Sequence, residues 1–170
     1  MAVEALFGLV GVLIGSLTTS VLTIYKERLT ARQDTATREA QYERERKLAL
    51  DTFQRDSILA LQSAVTDMIQ SAYVELDRIL AIEKETGQWP ARQWATPTAA
   101  GWSAAVLLLE SSRARVFDDE LRALATELRT VAGNSIWASS ADEAKKHSQR
   151  LEPLQIRLHE AVTRVLPSLY

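Results

Sequence analysis

The sequence predicts an all-α protein: an N-terminal transmembrane helix that continues into a long charged helix and then an antiparallel bundle of about four helices. Apolar residues recur at spacings of three and four from Ile58 onward, which is the period of an amphipathic helix. No segment alternates apolar and polar residues as a half-buried strand would, and six Gly and four Pro are few for a turn-rich β protein. Charge is also unevenly placed: of 20 Lys or Arg and 22 Asp or Glu residues, only Glu4 precedes Lys26.

The first predicted domain is a transmembrane anchor over residues 1–25. Residues 5–25 carry no charge, and a helix of that length extends about 31 Å, which is one hydrocarbon core. A cleaved signal peptide would need a basic start and a shorter apolar run. A buried core helix would seldom be apolar on every face in so small a protein. The pattern therefore predicts contact with a lipid bilayer.

The flanking charge predicts the orientation of this anchor. No Lys or Arg precedes the span, whereas Lys26, Arg28, Arg32 and Arg38 follow it closely. Basic residues collect on the cytoplasmic side of membrane helices. We expect a single-pass protein with its N-terminus outside and its C-terminal domain in the cytoplasm.

Small residues mark one face of the anchor, at spacings of three and four: Gly8, Gly11, Gly15 and Thr19. Such a ridge lets two helix backbones approach closely, and packing of this kind drives association in lipid. The ridge predicts a homo-oligomer formed through the anchor. Contact with another membrane protein, or no partner at all, are the alternatives.

The second predicted domain, residues 26–47, is a charged juxtamembrane helix without Pro or Gly. Acid-before-base pairs four residues apart, such as Asp34 with Arg38, support an exposed helix. A strict heptad is absent because Glu43 interrupts the only seam. We expect a solvated stalk; a weak parallel coiled coil driven by the anchor is the alternative. Its first basic residues could contact anionic headgroups.

The third predicted domain is a helical bundle over residues 48–170. Its first helix carries a stripe that must be covered by other helices: Ile58, Leu61, Val65, Met68, Ala72, Leu76 and Ile79. Four further apolar residues are expected to widen that stripe: Leu59, Ile69, Tyr73 and Leu80. Gly87 should end the helix.

Capping residues divide the rest of the bundle. Thr96 and Pro97 predict the start of a second helix that runs to about Arg115. The acidic residues 118–120 predict the first turn of a third helix, which should end at Gly133 and Asn134. Ser140 and Glu143 match a capping box at the start of a fourth helix. Pro153 is expected to kink or divide that helix.

Two tryptophans between the first and second helices, Trp89 and Trp94, are expected to close the distal end of the bundle. The alternative is a solvent-facing contact with a partner protein, because Trp is favoured at binding hot spots. The acidic turn at Asp118 and Asp119 is a second candidate for partner contact. A helix N-terminal charge is the simpler role for these two residues.

No motif in the sequence predicts catalysis, and we expect no enzyme activity, cofactor or metal site. His147 and His159 are twelve residues apart, which is not a zinc spacing, and the chain has no Cys. It also lacks a phosphate-binding glycine loop and a nucleophile elbow. A net charge of −2 gives no attraction to nucleic acid.

The run LFGLVGVLIGSLTTSVLTIYKER, followed by a charged helix, resembles a broad class of small bacterial single-pass membrane proteins. Their pattern is a Gly-rich N-terminal anchor, an Arg- and Glu-rich stretch and a cytoplasmic helical region. The resemblance covers mainly residues 5–50. Most of these proteins have no assigned activity, and some lie in phage or prophage regions. This resemblance implies that the protein is located in a bacterial inner membrane.

These features predict a membrane-tethered helical interaction or scaffold module with an unknown protein partner. Tethering concentrates a binding surface under the membrane. A phage-related effector, such as an exclusion or lysis accessory protein, is one alternative. A spanin-like lysis protein would need its C-terminal part outside, against the charge bias. A helical-bundle sensor of a small ligand is the other alternative, and it requires a polar pocket.

Overall fold

A computed structural model describes the backbone of residues 2–90 and 97–169, and the side chains of Lys26, residues 37–90 and residues 100–169. These described residues form five α-helices: α1 (Ala2–Thr86), α2 (Pro97–Arg113), α3 (Asp119–Ile136), α4 (Ala141–Ser148) and α5 (Leu151–Val165). A short 3₁₀ helix, Leu166–Leu169, follows. Those backbone ranges contain no strand. The prediction of an all-α protein is confirmed.

Helix α1 is 85 residues long and ends where the sequence predicts. Gly87 follows it with a φ of 71°, a left-handed conformation that Gly adopts without strain. Its N–H donates to the carbonyl of Glu83 at 2.8 Å, which closes the last turn of α1. The chain divides into two compact units, Met1–Ala49 and Leu50–Tyr170.

The first unit contains the predicted anchor and charged helix. Its side chains over residues 37–49 are all exposed, including Tyr42 and Leu48. Within the described residues, no helical stretch has both the length and the apolar character of a membrane span. The side chains of the predicted span, residues 5–25, are not among those that the structure describes. The same holds for the ridge on that span, formed by Gly8, Gly11, Gly15 and Thr19.

The second unit is a four-helix bundle with up-down-up-down topology. Gln54 of α1 bonds the segment just before α3, and Leu76 packs with Ala138 just after α3, so α1 and α3 run parallel. Arg164 near the end of α5 pairs with Glu120 at the start of α3, at 3.1 Å, so these two helices are antiparallel. The short helix α4 lies within the connection between α3 and α5.

The core of the bundle confirms the predicted α1 stripe: all seven residues from Ile58 to Ile79 are buried. The wider stripe is partly wrong. Ile69 is buried, but Leu59, Tyr73 and Leu80 are exposed. These three are separated by multiples of seven residues, so they lie on one flank of α1, which no other described helix covers fully. The neighbouring helices therefore cover a narrower arc of α1 than the wider stripe requires.

Helix α3 begins as predicted but ends later. Asp118 is its N-cap, accepting a hydrogen bond from the N–H of Leu121 at 2.8 Å. The helix continues beyond Gly133 and Asn134 to Ile136, so the predicted end is wrong. Gly133 is instead buried inside the helix, where an added Cβ would lie 3.4 Å from the ring of Trp137 and 3.8 Å from that of Trp102. A missing side chain here makes room for two indoles, which meet edge to face at 6.5 Å.

Substitutions at Gly133 should separate helix propensity from packing. Gly133→Ala places a Cβ at ordinary contact distance and gains helix propensity, so we expect a change in unfolding free energy within about 1 kcal/mol. Gly133→Leu must push into the two indole rings and should lose roughly 1–3 kcal/mol. Urea unfolding followed by tryptophan fluorescence measures both. Equal stability of the two variants would contradict this packing role.

The predicted fourth helix is divided into α4 and α5, one of the two outcomes expected of Pro153. The break lies at Gln149 and Arg150. Pro153 has no N–H to bond the carbonyl of Gln149, four residues earlier, and its ring would crowd that carbonyl. It is tolerated in the first turn of α5, where that bond is not needed.

The cap of α4 is slightly different from the predicted box. Ser140 Oγ accepts from the N–H of Glu143 at 3.3 Å, as expected. The Glu143 carboxylate accepts from both the N–H and the hydroxyl of Ser139, at 2.7 and 2.6 Å, instead of from Ser140. These bonds to the charged form hold the pKa of Glu143 below its ordinary value.

Candidate interaction surface

Helix α2 carries the most exposed large aliphatic side chain on the bundle. Leu107 is 71% exposed and its neighbour Leu108 is 50% exposed, whereas Leu109 is fully buried. Consecutive residues on a helix point about 100° apart, so three adjacent leucines cannot all face one core. Leu107 and Leu108 therefore form an apolar patch that is exposed to water.

A cavity of about 300 Å³ lies between α1 and α2. Asp67, Gln70, Ser71 and Val74 of α1 and Gly101 of α2 line it. An added Cβ on Gly101 would meet nothing within 4 Å, which shows that the wall at this point is open. Since Gly101 lies beside residues 67–74 of α1 and the chain just after α2 bonds Gln54, the two helices are antiparallel.

The cavity and its five lining residues are called the groove below. The exposed residues that continue the same faces of α1 and α2 are mostly small. On α2, Gly101, Ala104, Leu108 and Ser111 recur at spacings of three and four and are all exposed. On α1, Ala60 and Ser63 are exposed on the same flank as Asp67. Gly101 to Ser111 spans about 15 Å at 1.5 Å per residue. Small side chains over this length allow another helix to approach closely.

A pair of exposed phenylalanines lies where α1 meets the connection between α2 and α3. The rings of Phe53 and Phe117 are 6.3 Å apart and tilted by 47°. Gln54 holds this junction together: its amide donates to the carbonyl of Arg115 at 3.0 Å and accepts from the N–H of Phe117 at 2.9 Å. One buried amide therefore fixes the connection between α2 and α3 against α1.

The charges near the groove are few, and most of them are paired. Asp56 pairs with Arg55 at 3.1 Å. Glu75, which is buried, holds Arg78 through two bonds, at 2.6 and 3.0 Å, and these raise the pKa of the guanidinium. Asp67 is exposed, and no described side chain bonds or pairs with it. The cavity is therefore lined by one uncompensated carboxylate.

The residues that the sequence nominates for partner contact lie elsewhere. Trp89 packs against the core and donates its indole N–H to the carbonyl of Ala138 at 2.8 Å, so it closes the end of the bundle. Asp118 caps α3, and Asp119 pairs with Arg122. Trp94 lies outside the described residues. The structure does not bring these residues together into one site, and a partner contact at any of them stays a prediction.

The exposed leucine pair on α2 has a signal in the sequence that the predicted apolar stripes do not include. Residues 106–109 read Val-Leu-Leu-Leu on a helix whose buried apolar residues, among the described side chains, are Trp102, Ala105 and Leu109. That spacing leaves Leu107 and Leu108 outside the core face. The groove itself has no comparable signal, because exposed Gly, Ala and Ser are ordinary on a helix surface.

No group of three or more His, Asp or Glu side chains in the described part of the chain could hold a metal ion. His147 has a buried Nδ1 without a hydrogen-bond partner, and its Nε2 lies 3.9 Å from Glu143. Neither His147 nor Glu143 lines the cavity between α1 and α2. The side chains that line the groove are small, apolar or polar and include one carboxylate, which suits binding of another chain more than chemistry.

No protein-family model, curated protein or solved structure matches the chain.

Proposed function

We propose that this protein is a membrane-tethered helical module whose bundle binds a protein partner through the α1–α2 surface. The exposed leucine pair on α2, Leu107 and Leu108, carries the proposal. Two adjacent, largely exposed leucines form the kind of apolar centre that protein interfaces bury. Their exposure has a cost in water that a bound partner would remove.

Tethering is the second part of the proposal, and it rests on the sequence. Residues 5–25 are uncharged and basic residues follow them, as expected of an anchor with a cytoplasmic C-terminal domain. An anchor confines the bundle to a thin layer and raises its effective concentration for partners held there. The homo-oligomer expected from Gly8, Gly11, Gly15 and Thr19 would add avidity.

A ligand-sensing role has less support. Most of the buried side chains in the described bundle are aliphatic or aromatic, and the cavity at Asp67 opens on the surface. Small-molecule sites typically enclose most of their ligand. An open surface cavity and an exposed leucine pair suit a macromolecular partner better.

The partner-binding proposal predicts a specific loss of association. The full-length chain is extracted from membranes in mild detergent and its co-purifying proteins are identified. The double variant Leu107→Ser and Leu108→Ser should lose a defined set of them, at least tenfold. Ile156→Ser, at a residue of α5 that is also about half exposed, is the matched control and should keep that set. Identical sets from all three proteins would overturn the assignment of this surface.

The tether is tested separately. A reporter fused after Tyr170 should give a cytoplasmic signal, and the chain should remain in the membrane fraction after a high-salt wash. Deletion of residues 2–25 should release it. Retention of the deleted chain, or a reporter signal from the outside, would contradict the anchor and its orientation.

A further inference from the structure

We draw no further inference here: the strongest candidate, the apolar flank of α1 formed by Leu59, Tyr73 and Leu80, is only partly exposed, and nothing in the structure shows what covers it.

Discussion

Replacing Leu128 with Ala is expected to lower the free energy of unfolding by roughly 2–5 kcal/mol. Leu128 lies in the middle of α3 with no exposed surface, within the single apolar cluster that joins α1, α2, α3 and α5. Removing three carbon atoms leaves a cavity that the surrounding side chains can only partly fill. Because one α3 residue faces several helices, the whole bundle should lose stability together.

The measurement is urea unfolding of the full-length chain in detergent, followed by the fluorescence of its four tryptophans. Leu107→Ala is the matched control, since it makes the same chemical change at a side chain that is 71% exposed. Its effect should stay within about 0.5 kcal/mol. A loss at Leu107 as large as that at Leu128 would show that the helices pack differently in solution.

Replacing Gln54 with Leu should lower the free energy of unfolding by about 2 kcal/mol or more. The Gln54 side chain is buried and bonds two backbone groups, the carbonyl of Arg115 and the N–H of Phe117. Leucine has a similar length but neither donor nor acceptor. Both backbone groups would then lose their partner, and each such loss costs roughly 1–3 kcal/mol when the group is cut off from water.

Gln62→Leu is the control for this prediction. Gln62 lies two turns further along α1, is half-buried, and its side chain makes no hydrogen bond with the described residues. Its replacement should change stability by less than about 0.5 kcal/mol. Hydrogen exchange adds a local readout: the amide of Phe117 should exchange faster in Gln54→Leu. Unaltered exchange at Phe117 would contradict the bond to Gln54.

The elements that the sequence predicts well are those with a strong local cause. The seven apolar residues of the α1 stripe have a helical spacing that repeats over six turns, and all of them are buried. The residues that mark helix ends, Gly87, Pro97 and Asp118, act within one turn of their helix. Such signals depend on the chain itself and on few tertiary contacts. Pro153 belongs to the same group, since its effect on the carbonyl of Gln149 is local.

The elements that the sequence does not predict depend on distant contacts. Gly133 has the composition of a helix end, but the indoles of Trp102 and Trp137 make it an interior position. Leu59, Tyr73 and Leu80 lie at helical spacing and are still exposed, because the flank that they occupy is only partly covered. Gln54 reaches across 61 and 63 residues, and no local pattern reveals such a bond.

The candidate surface shows the same division. Leu107 and Leu108 could be identified from three consecutive leucines on one helix, but the groove at Asp67 exists only once α1 and α2 lie side by side. Trp89 was a reasonable candidate by residue type, and its bond to Ala138 gives it a structural role. A site formed by small side chains on two helices has almost no signature in sequence.

The order in which the bundle is assembled along the chain affects its synthesis. The stripe of α1 ends at Ile79, yet it shares its core with residues of α5 as late as Val162, about 80 positions further on. At a translation rate of roughly 5–20 residues per second, the ribosome needs several seconds to deliver them. During that interval the nascent chain displays an apolar helix without its neighbours. Early engagement by a chaperone would protect that helix from aggregation until α5 emerges.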